Sequence, residues 1–117
     1  EMREYIMNEQ IETLIEAIKT DYLNFTSRMG TRELSSVNVQ MIEEFNEGLS
    51  VQEGRKYVKI LSRGSVWGFI VKGTDDKLFR QGDLLKAASW AAPARNKPRG
   101  NIVDGGYKIQ WTGPLYL

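Results

Sequence analysis

The chain changes texture at Gly54, and that change limits what it can fold into. Before it, apolar residues recur three and four apart. Ile11, Leu14, Ile15, Ile18, Tyr22, Phe25 and Met29 fall on one stripe of a helix running from about Arg3 to Met29, with Gly30 as its stop. A second helix spans about Val37 to Phe45, with Ser35 or Ser36 as N-cap and Gly48 at its end. Its apolar face is Val37, Met41, Ile42 and Phe45. After Gly54 the runs shorten and become β-branched and aromatic. "KYVKIL" and "VWGFIVKG" form a hairpin around Arg63-Gly64, bounded by the turn chemistry of "SRGS" and "GTDD". "KLF" and "DLLKAASW" continue the β pattern. "VDGG" is a turn, and "YKIQW" alternates, with Tyr107, Ile109 and Trp111 on one face and Lys108 and Gln110 on the other.

Two helices followed by sequential hairpins predict an α+β fold. Its antiparallel sheet has five or six strands, and the helices cover the apolar face. With 117 residues, no internal repeat and no linker-like stretch, the expectation is a single domain, residues 1–117, with a helical part at 1–50 and a β part at 54–117.

The residue inventory narrows the chemistry. Cys and His are both absent, which removes nucleophile–imidazole pairs, thiolates and soft metal sites. Carboxylates, Lys, Tyr or a magnesium ion held by carboxylates are the catalytic options that remain; a metal site, a cofactor and enzymatic turnover are not expected, and the balance moves toward binding. No apolar run approaches the roughly 20 residues of a membrane helix, and "EMREYIMNEQ" lacks the apolar core of a signal peptide. These features, with the absent cysteines, fit a reducing cytoplasm.

The net charge of +1 conceals an asymmetry. Residues 1–54 carry 4 Lys/Arg against 11 Asp/Glu, and residues 55–117 carry 12 against 4. Acidic helices are one reading of this, as ordinary solvated faces; an anion-binding surface in the second half is the other. Phosphate motifs do not decide it, because Gly54, Gly64, Gly68 and Gly73 are separated by strand-like residues and none opens a helix. Glu43-Glu44 reads as a solvated helix face and Asp75-Asp76 as turn chemistry.

The stretch "KAASWAAPARNKPRGNI", residues 86–102, is more specific. Ala87, Ala88, Ala91 and Ala92 leave room beside the backbone, Trp90 is the single large residue among them, and Pro93 argues against continued strand pairing. Arg95, Asn96, Lys97, Arg99 and Asn101 then supply forked and amide donors in a loop stiffened by Pro98 and turned by Gly100. Trp90 on its own reads as core. The loop as a set reads as a binding element, with Arg55 and Arg63 adding charge from the first hairpin. Phe79 either stacks on a ligand base or packs in the core.

"FRQGDLLKAASWAAPARNKPRGNI" followed by "YKIQWTGPLYL" resembles the phage anti-Thoeris sponge family of the first type described. The resemblance covers roughly residues 79–117; the helical half matches in layout only. It implies a non-enzymatic immune evasion protein that sequesters a cyclic nucleotide messenger, a cyclic ADP-ribose isomer made by TIR-domain defence proteins, in the cytoplasm of an infected bacterium. Cyclic oligonucleotides are a further ligand class it implies, and homo-oligomers a further property. Carried onto this chain, the aromatic against the base is Phe79 or Trp90, and the phosphate groups fall to Arg95 and Arg99, with Arg55 added. The polar readers are Asn96, Asn101 and Asp104, and Arg28 marks a further site. A sponge of this kind needs a Kd near nanomolar, roughly −12 kcal/mol.

The competing reading is a single-stranded nucleic-acid-binding protein that stacks bases on Trp67, Trp90 and Phe79. The acidic helical half and the small net charge weigh against it.

Overall fold

A computed structural model describes residues 2–31 and 33–114. The fold is α+β: α1 (Met2–Ser27) and α2 (Ser36–Glu47) precede a four-stranded antiparallel sheet in the order β1 (Leu49–Glu53), β2 (Tyr57–Ser62), β3 (Ser65–Val71), β4 (Leu84–Leu85). Two small antiparallel ladders follow, β5 (Gly100–Asn101) with β6 (Gly106–Tyr107), and β7 (Ile109–Gln110) with β8 (Gly113–Pro114).

Both helices form where the periodicity places them. Ser35 caps α2: its hydroxyl accepts from the Asn38 N–H while the Asn38 side chain accepts from the Ser35 N–H, a reciprocal capping box. The stripe of α1 is used only in part. Ile11, Leu14, Ile18 and Tyr22 are buried, but Phe25 and Met29 are 64% and 74% exposed, because the helix runs past the edge of the core. Val37 and Met41 of α2 likewise face outward, leaving Phe45 as its fully buried anchor. Phe45 stacks on Tyr22 at 4.1 Å with the rings nearly parallel, and Trp111 meets both rings edge-on.

The sheet separates two faces. Val58 and Ile60 of β2, Ile70 of β3 and Leu84 of β4 point to the helices and join their core. Phe69, Val71 and Leu85 point the other way and form a second cluster with Phe79, Tyr57 and Ala87. Trp67 would belong to this second face by simple alternation. A β-bulge shifts the register between Ile60 and Leu61, leaving Trp67 unmatched and swinging it into the helix-side core, where its Nε1 donates to the Gln110 carbonyl at 2.9 Å.

The sheet is smaller than the expected meander of five or six strands. β1 was not anticipated: "LSVQE" lies before the change of texture and is exposed along most of its length. "KLF" is not a strand, and "DLLKAASW" contributes two strand residues. The reason is local chemistry. Asp76 Oδ1 accepts the backbone N–H groups of Leu78 and Phe79, holding the chain in a turn rather than a ladder. "YKIQW" keeps its predicted alternation but is divided between β6 and β7.

Candidate functional site

Residues 72–99 return through β4 and carry Phe79 and Ala87 onto the sheet face opposite the helices, and two fastenings hold the segment. The first joins "RQGD" to "RGN". Asn101 donates to the Gln81 carbonyl and to Asp83 Oδ1, each at 2.9 Å, and its own Oδ1 accepts from Val103 and Asp104 N–H. Backbone bonds from Arg99 N to Leu84 O and from Ile102 N to Gly82 O complete the join. Gly82 has φ +89 and an added Cβ would lie 2.8 Å from Val103 Cγ2, so both conformation and space call for glycine.

The second fastening is Arg95. Its fork takes both oxygens of Asp76 at 3.0 Å, one nitrogen also donates to the Tyr57 hydroxyl, and the guanidinium lies 4.9 Å over the Phe79 ring. The Arg95 hydrogen bonds hold the Asp76 carboxyl well below the usual carboxylate range, helped by the Leu78 and Phe79 N–H groups, and the same pairing raises Arg95.

These fastenings reassign most of the residues expected to hold a ligand. Phe79 is 6% exposed with Arg95 across its ring, so no base can stack there. Arg95 is committed to Asp76. Arg99 and Asn101 are each 5% exposed; the Arg99 guanidinium donates to the Lys97 carbonyl, and every polar atom of the Asn101 side chain is used internally. Asp104 pairs with Arg80. Asn96 is exposed, and its Oδ1 takes the Lys97 N–H. Arg28 lines a separate groove of about 500 Å³ with Phe25, Met29 and Trp111. Trp67, a stacking platform in the nucleic-acid reading, is buried.

Trp90 and Arg55 have a different setting. Residues 86–94 form a narrow turn: Ala88 and Ser89 N–H both donate to Ala92 O, and Ala94 N–H donates to Lys86 O. Ala87 even bridges Pro93, against the expectation that Pro93 ends pairing. The bridge is compatible with proline because the bonds flanking it come from Ala92 and Ala94. The small residues therefore build the stem of the turn, and Trp90 stands near its tip, 54% exposed rather than in the core. Lys59 Nζ lies 4.3 Å from the Trp90 ring centre and 5.7 Å from that of Phe69.

Beside this pair runs a groove of about 330 Å³ lined by Arg55, Lys56, Tyr57, Lys59, Phe69 and Ala91, with Gln52 and Glu53 at its rim. Its volume is at the lower end of the roughly 300–1,000 Å³ typical of ligand pockets. Glu53 is neutralised by Lys72, whereas Arg55, Lys56 and Lys59 form no salt bridge among the described residues. Strand alternation places Lys59 here, since Tyr57 and Lys59 point away from Val58 and Ile60, toward the side where the Trp90 turn stands, while Arg55 and Lys56 come from the β1–β2 turn. Sequence reasoning missed Lys56, Tyr57, Lys59 and Phe69. The available signal was the alternation in "KYVKI", aromatic and cation on one face, aliphatic on the other.

A family model covers residues 1–117. The chain belongs to a family of unknown function, DUF7717. No curated protein and no solved structure matches this DUF7717 chain. Among its described residues no cluster of three or more acidic side chains is placed to hold a metal ion, and no helix is long and apolar enough to cross a membrane.

Proposed function

We propose that the protein is a binding module that captures a nucleotide in the groove between the β1–β2 turn and the Trp90 turn, and releases it unchanged. The observation that carries this reading is a groove lined by three unneutralised cations, Arg55, Lys56 and Lys59, of which Lys59 lies 4.3 Å from the ring centre of the exposed Trp90. A nucleotide joins an aromatic face to an anion, and an exposed indole next to a cationic groove offers the complement of each. The inventory supports binding over turnover, since it lacks imidazole and thiol.

The resemblance described above extends the proposal. The ligand is then a cyclic ADP-ribose isomer, the protein is a phage-encoded sponge for it, and its working place is the cytoplasm of the infected host. Cyclic oligonucleotides would share the same chemistry. The ligand contacts move from the 95–101 loop to Arg55, Lys56, Lys59 and Trp90, while Arg95 and Asn101 hold the frame.

A second reading draws on a separate observation. The acidic helices cover the sheet face opposite the groove, so they do not front a polyanion lying along Lys59 and Trp90. Single-stranded nucleic acid therefore fits better than the charge totals imply.

One experiment separates these. The protein is incubated with cyclic ADP-ribose isomers and cyclic dinucleotides, repurified, heat-denatured, and the released material is analysed. Stoichiometric intact ligand supports capture. Altered product in excess of protein would refute a sponge. No retained nucleotide, together with oligonucleotide binding that weakens steeply with salt, favours the second reading.

A further inference from the structure

Lys59, Phe69 and Ala91 line the groove, but Trp90 does not. Lys59 stands between the groove and the indole. It sits opposite Phe69 in the pairing of β2 with β3, and its Nζ lies 5.7 Å from the Phe69 ring centre and 4.3 Å from that of Trp90. An ammonium at that distance caps one face of the indole. The residues on either side of the lysine are fixed. Phe69 is buried in β3, and Trp90 rides a turn whose stem is closed by bonds from Ala88 and Ser89 to Ala92 and from Ala94 to Lys86. Lys59 itself reaches out from β2 on a flexible four-carbon stem, and no carboxylate pairs with it among the described residues. The lysine is the movable partner in this contact.

We infer that Lys59 is a gate that admits ligands carrying an aromatic ring and an anion on one molecule, and disfavours the ring alone. The inference rests on the capture of a nucleotide in this groove. A phosphate entering beside Arg55 and Lys56 offers the Lys59 ammonium a charge-assisted hydrogen bond, and the lysine turns from the ring toward it. The indole face it leaves is then open to the base. A neutral nucleoside has no anion to offer, so it must displace the ammonium from the ring without replacing the contact that is lost. One side chain thereby couples the two halves of the ligand: the anion opens the platform on which the ring stacks.

The test titrates the full chain with adenosine diphosphate, adenosine and inorganic diphosphate. Calorimetry reads affinity, and the indole N–H resonance of Trp90, assigned by its absence from Trp90→Phe, reads the gate. Inorganic diphosphate alone should move that resonance in wild type and leave it in place in Lys59→Ala. Lys59→Ala should weaken adenosine diphosphate yet tighten adenosine by about two- to thirtyfold, the worth of one cation–π contact. Where adenosine diphosphate binds, adenosine held no tighter by Lys59→Ala than by wild type overturns the gate. Where it does not bind, the capture reading fails and the inorganic diphosphate titration alone decides. A Trp90 resonance that moves only in wild type then sustains the gate, and one that stays in place, or moves equally in both chains, overturns it. If Lys59→Ala fails to fold, Lys59→Met, which keeps the length of the stem and removes the charge, takes its place in both comparisons.

Discussion

Asn101→Ala tests most directly whether the "RNKPRGN" loop is a ligand reader or a fastening. In the structure the side chain makes four hydrogen bonds, to Gln81 O and Asp83 Oδ1 as donor and from Val103 and Asp104 N–H as acceptor, at 5% exposure. A typical hydrogen bond contributes about 0.5–1.5 kcal/mol net, and more when its loss strands a buried partner such as Asp83. Gln81 O and the two N–H groups can regain water in part, so the expected loss is about 2–4 kcal/mol. Small domains have only about 5–15 kcal/mol in total, so this is a large fraction. For a chain of this length each kcal/mol moves the midpoint by about 3–6 °C, which predicts a fall of about 6–24 °C. Thermal melts followed by circular dichroism, with urea titration alongside, measure it. A shift under about 3 °C, with nucleotide capture abolished, would refute the fastening and return Asn101 to the ligand.

Other perturbations probe the groove and the frame separately. Trp90→Ala should leave the melt within about 0.5 kcal/mol of wild type, as for an exposed side chain, and weaken nucleotide capture by about 1–3 kcal/mol in calorimetric titration. Lys59→Ala should weaken capture with a shallower salt dependence, by about one unit of log–log slope against an oligonucleotide. Asp76 stays ionised in the folded chain far below the usual carboxylate range, because Arg95 and two N–H groups hold its charge. Its contribution is therefore fully present above the unfolded aspartate pKa of about 3.9 and is lost as pH falls below it. The stability gap between wild type and Asp76→Asn, from urea titrations, should accordingly shrink from about pH 5 to pH 2. A gap constant over that range would exclude the pairing. Phe45→Ala removes the ring stacked on Tyr22 and should cost about 3–5 kcal/mol in the same titration.

The helices were legible because their signal is local. Leu14, Ile18, Tyr22 and Phe45 repeat at helical spacing and are buried, and Ser35 caps where its position in the sequence places it. The β hairpin at Arg63-Gly64 was legible for the same reason: both residues adopt positive φ between two β-branched runs. Exposure was less legible. Phe25, Met29 and Val37 belong to the apolar stripes yet lie outside the core, since periodicity gives a direction around a helix but not where its neighbours end. The basic loop was the least legible. Arg and Asn suit a phosphate or a ribose, and equally suit a carboxylate and a peptide group within the same chain. Asp76 and Asp83 were the partners that took them, from 19 and 18 residues away.

The sequence by itself determined the class of the fold, the placement of its two helices, the division of charge and the absence of thiol and imidazole chemistry. All of these follow from composition or from spacing within a few residues. Only the tertiary structure decided that Arg95 and Asn101 are fastenings, that Trp67 is buried by a bulge, and that Trp90 stands exposed beside Lys59. Donors bind whichever acceptor the fold brings within about 3 Å, and that distance is set by contacts remote in the chain.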